Sequence, residues 1–407
     1  MKLRLLFVLL AVTFSANSQS AWPSTSWASG TNLTSVMNSS GVVQLSGLFW
    51  NDQTSRLYAV QNDGRVRVLQ FNPATNTFTQ IGNRTFDGGP EGITQADLSA
   101  NEFYTIDEDN YEIRKYTHPA DFSSVTESKH WDLLASPSPM EDTGNTGPEG
   151  IAFIPDSALQ TLNFTSSVTG QPYTSTKGMG GLLFIAHQDG GYVWVFDVNP
   201  NVNNDFLYIG KYKTNRTESC DLAFDSSTNL LYILHNLDSN YLEATNLSVA
   251  PVAGGELKFA TIAEYFIANP AGSNMNVEGF ALSPNCPSGG FAWLCRDASA
   301  SEATSIKQDV LRWFNPFGTD GGCALEVFEN KGIAMSVYPN PARNVISLAF
   351  PEIFSSVRIS IKNILGQTVM NLENNPDSID VSALSNGSYV IEADAEGQKF
   401  TSKFIKK

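Results

Sequence analysis

From residue 21 to residue 330 the chain alternates short apolar runs with clusters of Asn, Asp, Gly and Pro, and the i, i+3, i+4 spacing of an amphipathic helix is nearly absent. Runs such as "LLFIA" and "YVWVF" are apolar at nearly every position, which predicts strands covered on both faces. The runs also repeat. "LSGLFWNDQTSRLYAVQNDGRVRVLQFN" from Leu45, "PEGITQADLSANEFYTIDEDNYEIRKYTHP" from Pro90 and "PEGIAFIPD" from Pro148, resuming as "GGLLFIAHQDGGYVWVFDVN", share one order of elements. So do "SCDLAFDSSTNLLYILHNLDSNYLEATNL" from Ser219 and "VEGFALSPNCPSGGFAWLCRDAS" from Val277. Each unit reads as a strand, a turn, a second strand ending in acidic or amide residues, and a third strand, often with a fourth.

Aligned on the residue before glycine or its equivalent, the units start at Ser46, Glu91, Glu149, Cys220 and Glu278, about 45 to 70 residues apart, the size of a four-stranded propeller blade with insertions. The expected fold is therefore all-β: a five-bladed β-propeller over residues 21–330, with a sixth blade possible. Residues 21–45 are long enough only for an extra strand that closes the ring. Past residue 330, "SVYPNPARNVISLAF", "VRISIKNILGQTVMNL" and "IDVSALSNGSYVIEADAEGQKFTSKFIKK" are alternating strands between Pro, Gly and Asn turns, which predicts a small β-sandwich over residues 331–407.

In a blade the first strand lines the central channel and the second returns antiparallel beside it, so first-strand starts and second-strand ends share one mouth. That mouth collects Glu91, Glu149 and Glu278 with Asp63, Asp109, Asp189 and Asp297, beside Asn62, Asp107 and Asn236. Two carboxylates about 5 Å apart at an effective dielectric near 20 repel by about 3 kcal/mol, so such a ring must be protonated, spread or neutralised. Three readings stay open. The carboxylates accept hydrogen bonds from neighbouring amides and brace the ring, with Gly92, Gly150 and Gly279 answering to crowding; they bind a hard cation, calcium first; or they contact a ligand directly. Arg65 and Arg296 are the cations best placed to hold an anionic ligand there.

The formal charge of −16, from 25 Lys plus Arg against 41 Asp plus Glu, argues against nucleic acid as partner. The opening "MKLRLLFVLLAVTFSANSQS" places two cations before an apolar run and small residues after it, as a signal peptide over residues 1–20 does. Exported cysteines are expected in disulfides. Cys220 with Cys295, and Cys286 with Cys323, is the favoured pairing, because a bridge from Cys286 to Cys295 would have to span about 20 Å along one strand. Four scattered histidines and the absence of nucleophile elbows, zinc-protease helices or phosphate loops leave no catalytic constellation in view.

Two resemblances add to this. "YPNPA" at 338–342, "ILGQTV" at 364–369, "DVSALSNGSYV" at 380–390 and the closing "KFIKK" closely resemble the C-terminal sorting domain of type IX secretion, over residues 333–407. That resemblance implies export through the outer membrane by the type IX machinery, then release or attachment to surface lipopolysaccharide. The repeated "PEGI" with "LYAVQNDGRV" and "FYTIDEDNYEI" resembles the SdiA-regulated and phytase-like secreted propellers, over residues 41–320. It implies metal ligands among the acidic positions and, as an alternative function, calcium-dependent phosphoester hydrolysis. Ser46 and Cys220 depart from the repeated Glu, and five units are fewer than those families usually have. The reading preferred on sequence is a secreted or surface propeller that binds an unknown small ligand or serves as a scaffold, with insertions at 156–180 and 239–256 carrying specificity.

Overall fold

A computed structural model describes residues 20–236, 239–252, 254–267, 275–286 and 289–319, then 335–350, 354, 356–363, 367–372, 378–395 and 398–407. The expected signal peptide, apart from Ser20, lies outside the described residues, as does the expected boundary at 330. The protein is all-β, and its longest described helix is the six-residue Asp156–Thr161. The chain divides into two compact units, Met1–Ala324 and Leu325–Lys407.

In the first unit a four-stranded antiparallel run recurs five times. The first holds Leu45–Asn51, Arg56–Gln61, Arg65–Asn72 and Thr77–Thr85; the second Pro90–Thr94, Glu102–Asp107, Glu112–Thr117 and Thr126–Asp132. The third holds Pro148–Pro155, Gly181–His187, Tyr192–Val198 and Phe206–Lys213; the fourth Asp221–Asp225, Leu230–His235, Asn240–Pro251 and Leu257–Ile267. The fifth takes Val277–Leu282, Gly290–Arg296 and Leu311–Phe317 from late in the chain, and its fourth strand, Thr31–Asn32, from the beginning. A single parallel bridge, Lys213 to Lys258, joins the third and fourth runs into one larger sheet.

Why the strands are apolar throughout is visible in how they pack. Five separate cores form, each between consecutive sheets, and the last of them lies between the fifth sheet and the first. Along Gly181–His187, Leu183 and Ile185 enter the core shared with the second sheet, while Leu182, Phe184 and Ala186 enter the core shared with the fourth. The period of two is therefore intact, but both faces are dry. Where the fifth sheet meets the first, Trp50 and Trp293 stack with ring centroids 4.6 Å apart.

The first strands of the sheets pack on one another in sequence, the fifth returning to the first. Their approach is too close for side chains at one level. A Cβ on Gly47 would fall 2.4 Å from the Glu91 carbonyl oxygen, and one on Gly279 would fall 2.2 Å from that of Ser46. Gly92 and Gly150 meet the next strand in the same way, and the fifth member of this level is Asp221, whose Cα would lie 2.5 Å from a Cβ at Gly150. The Asp221 carboxylate is buried among these glycines. It accepts the Phe280 N–H from the fifth sheet at 2.8 Å and the Leu222 N–H at 2.8 Å, with the Leu48 amide of the first sheet also facing it. One side chain thus ties three first strands in the room that four glycines leave.

Two expectations change here. Residues 240–251 are not an inserted loop but a twelve-residue strand, paired with Leu257–Ile267 on both sides of an irregularity at 246–248. The proposed Cys220–Cys295 disulfide is absent: both cysteines are free and buried. Each lies against the sheet that follows its own. The Cys220 thiol points at the Leu234 and Val277 carbonyls, 3.3 and 3.7 Å away, and the Cys295 thiol at those of Ser46 and Leu45, 3.1 and 3.6 Å away. Cys323, the proposed partner of Cys286, lies outside the described residues. Burial pushes both free thiols well above the ordinary range, so neither is a ready nucleophile. Alkylation without reductant should leave Cys220 and Cys295 unlabelled in the native protein and label both after unfolding; a disulfide-linked peptide joining them would contradict this packing.

The second unit has two antiparallel sheets. Ser336–Tyr338, Val345–Ala349 and Ile379–Asp380 form one, and Thr368–Leu372, Val357–Asn363, Gly387–Ala395 and Gln398–Lys406 the other. Ile346 and Ile379 of the former share a core with Ile359, Ile361, Ile391 and Phe404 of the latter.

Candidate functional site

At the level where the first strands begin, Gln44, Ser46, Asn62, Glu91, Glu108, Glu149, Glu278 and Asp297 line a cavity of about 140 Å3. Five of the eight are carboxylates, and no lysine, arginine or histidine is among them. Glu91, Glu149, Glu278 and Asp297 therefore come together as the repeat predicts.

Asp63, Asp109 and Asp189 do not. All three are exposed turn residues two positions past the end of a second strand, and Asp63 pairs with Arg65 at 3.7 Å. The positions that follow the second strands directly are Asn62, Glu108, Gln188, Asn236 and Asp297, of which Asn62, Glu108 and Asp297 line the cavity. Successive side chains leave a strand on opposite faces, so a register error of one residue selects the wrong set. Glu108 is absent from the expected set for this reason, although "IDEDN" places it between two aspartates and directly after the strand. Arg296 also turns elsewhere: its guanidinium donates to the carbonyls of Asp309 and Ile306, at 2.9 and 3.2 Å. Neither arginine lines the cavity.

The carboxylates differ in how they are satisfied. Glu91 accepts the Asn62 side-chain amide from the neighbouring sheet, and Glu278 accepts that of Asn276, which in turn accepts Asn236 at 3.0 Å. Glu108 accepts the Gly147 N–H at 3.1 Å. Glu149, only 6% exposed, has no hydrogen-bond donor among the described residues. One Asp297 oxygen is likewise buried without a partner.

The cost of this crowding falls on their proton affinities. Burial first, then the charges of Glu108 and Asp297, push Glu91 up to about 7 against the pull of Ser46 and Asn62. Burial, then Glu91, Glu278, Glu108 and Glu218, drive Glu149 well above the carboxylate range. Glu278 is raised by burial, then by Asp297 and Glu91, and Glu108 by burial, then Asp109 and Asp107. The cavity can accordingly hold protons or attract a cation; it offers no positive group to an anion. All its donors to a metal would be oxygens, which fits calcium or another hard cation in kind. In geometry the fit is looser, since no three Asp, Glu, His or Cys side chains among the described residues converge on one ion.

A second polar constellation is not legible in the repeat. Ser219 Oγ lies 3.4 Å from His235 Nδ1, and His235 Nε2 lies 3.1 Å from a Glu243 oxygen. Its order matches a nucleophile relay, but all three residues are fully buried. His235 Nδ1 also faces the Glu218 carbonyl, an obligate acceptor, so that nitrogen carries a hydrogen and cannot take one from Ser219. Glu243 further accepts the Asn215 N–H and the Thr261 hydroxyl. The set holds the fourth sheet together rather than meeting a substrate.

No curated protein is detectably similar to this chain. Among solved structures, the chain is similar to PorZ of Porphyromonas gingivalis, described as an essential bacterial surface component of the type IX secretion system. The identity is 12%, with 89% of this chain and 45% of that one covered and a TM-score of 0.28. The chain thus spans less than half the length of that structure. Residues 336–407 match the secretion system C-terminal sorting domain. The second unit is therefore a type IX sorting domain, and the protein is exported to the cell surface or secreted.

Proposed function

We propose that the first unit is a five-bladed β-propeller, delivered outside the cell by a sandwich-type sorting domain, and that its acidic mouth binds a divalent cation, calcium first, in a ligand-binding or scaffolding role. Five cores in cyclic order and a fifth sheet completed by Thr31–Asn32 support the propeller. The observation that carries the cation reading is Glu149: a carboxylate 6% exposed, without a donor, facing a cavity with four other carboxylates. With side-chain oxygens too spread to enclose an ion, water would complete the coordination, as is common for calcium. "PEGI" at Pro90 and Pro148 supports a place near the SdiA-regulated and phytase-like propellers. Nothing favours the phosphoesterase reading specifically, because no cation lines the cavity to hold a phosphate. Attachment to lipopolysaccharide after sorting is the corresponding proposal for how the protein is retained.

At pH 8, millimolar calcium should raise the unfolding temperature and chelation should lower it again, while Glu149→Gln should respond less than half as much. An unfolding temperature indifferent to calcium and chelator alike would refute the cation reading.

A further inference from the structure

The first strands that begin at the acidic cavity end, about 13 Å further on at four residues' rise, in a cavity of different chemistry. It measures about 210 Å3 and takes residues from four of the sheets and from the loop after Pro90–Thr94 of the second. Phe49, Phe153 and Phe224 line it, each half-buried, together with Trp50 and Leu282, 7% and 8% exposed. Below it the space between the first strands narrows to a void of about 50 Å3 lined by apolar groups such as Ala152, Ala223 and Ala281, so the cavity has an apolar floor. A cavity of about 150 Å3 admits benzene, and this one therefore has room for one six-membered ring and a short tail.

The polar groups at the rim define the tail. Gln95 is committed to Asn51 and the Glu102 carbonyl, and Asp225 to Ser227, Thr228 and the Asn285 N–H. Asp52 is different: it is exposed, and one of its oxygens takes only the Trp50 indole N–H, at 3.3 Å. No lysine or arginine lines this cavity, so its one available charge is negative. Three phenylalanine faces suit an aromatic ring by offset or edge contact, and also stabilise a nearby cation.

The geometry points to a second binding site at this end of the first unit, selective for an arylalkylammonium: an aromatic ring among Phe49, Phe153 and Phe224, with its ammonium group on Asp52. The ligand could be a free amine or the amino-terminal aromatic residue of a peptide, which present the same chemistry.

Titration of the whole protein with 2-phenylethylamine, followed by Trp fluorescence and calorimetry, tests this directly. Saturable binding is expected, with phenylacetate of the same shape binding at least tenfold more weakly. Asp52→Asn, at an exposed position, should weaken the amine about tenfold and leave phenylacetate binding no weaker than before; Phe153→Ala should abolish both. Glu149→Gln should leave amine binding intact. A dipeptide with amino-terminal phenylalanine, compared with its acetylated form, separates the peptide source from the free amine. Equal binding of amine and carboxylate, insensitivity to Asp52→Asn, or loss of binding in Glu149→Gln would each overturn the assignment, the last by moving the amine to the acidic mouth.

Discussion

Replacement of Asp221 by alanine is expected to destabilise the first unit by about 3 kcal/mol or more, because it strips the acceptor from at least two buried backbone N–H groups, each costing roughly 1–3 kcal/mol when orphaned. The Phe280 and Leu222 amides bond to different oxygens of the carboxylate, so asparagine can satisfy only one and would set its own N–H2 against the other. Asp221→Asn should therefore fall nearer to alanine than to the wild type. Equilibrium denaturation of the three proteins measures this, and an alanine variant within about 0.5 kcal/mol of wild type would remove Asp221 from the role given to it. The expected effect is large because the residue stands where four glycines stand elsewhere.

Without metal, the first unit should lose stability as pH rises from about 4.5 to 8. The sign follows from the protons each state holds. Unfolded, the glutamates release theirs near their ordinary value; folded, Glu91 keeps its proton to about 7, and Glu149 and Glu278 keep theirs well above the carboxylate range. Between those limits the native state binds more protons, so stability is full below the unfolded value and drains away as pH climbs. At about 1.4 kcal/mol per tenfold change in proton affinity, the raised carboxylates together should cost on the order of a few kcal/mol by pH 8. Chelator-treated protein unfolded by denaturant across this range should show the decline, and Glu149→Gln should flatten it by removing one of the groups that must ionise. Stability that rises between pH 5 and 7 would mean the carboxylates are satisfied as anions. Calcium should act most at the alkaline end, where the unprotonated cavity has most to gain from a cation.

Both predictions bear on the same question, what holds the ring of first strands. Amides brace part of the acidic mouth, as Asn62 does for Glu91 across two sheets. The tighter brace sits one residue further in, at Asp221, and costs the protein a buried carboxylate that burial drives well above its ordinary range against its N–H donors. The acidic mouth above it is then less a clamp than an unspent charge, which is why protonation or a cation should govern its contribution.

The repeat, the strands and the sorting domain were legible in the residues alone, and for one reason: each is written in local pattern. Apolar alternation, turn residues and the recurring glycine after Glu91, Glu149 and Glu278 survive without knowledge of what packs where. So does the identity of three cavity carboxylates, Glu91, Glu149 and Glu278, since the start of a strand is marked by its own sequence, and of Asp297, which follows the end of one. What packing alone decided is everything that depends on a single-residue register or on the direction a side chain takes. Glu108 rather than Asp109 faces the cavity, because the face changes with each step along the chain. Cys220 and Cys295 stay apart, because each turns toward the following sheet instead of the other. Asp221 stands in sequence simply where the other four units have glycine; only the approach of five strands to a common level makes it the group that fills their centre.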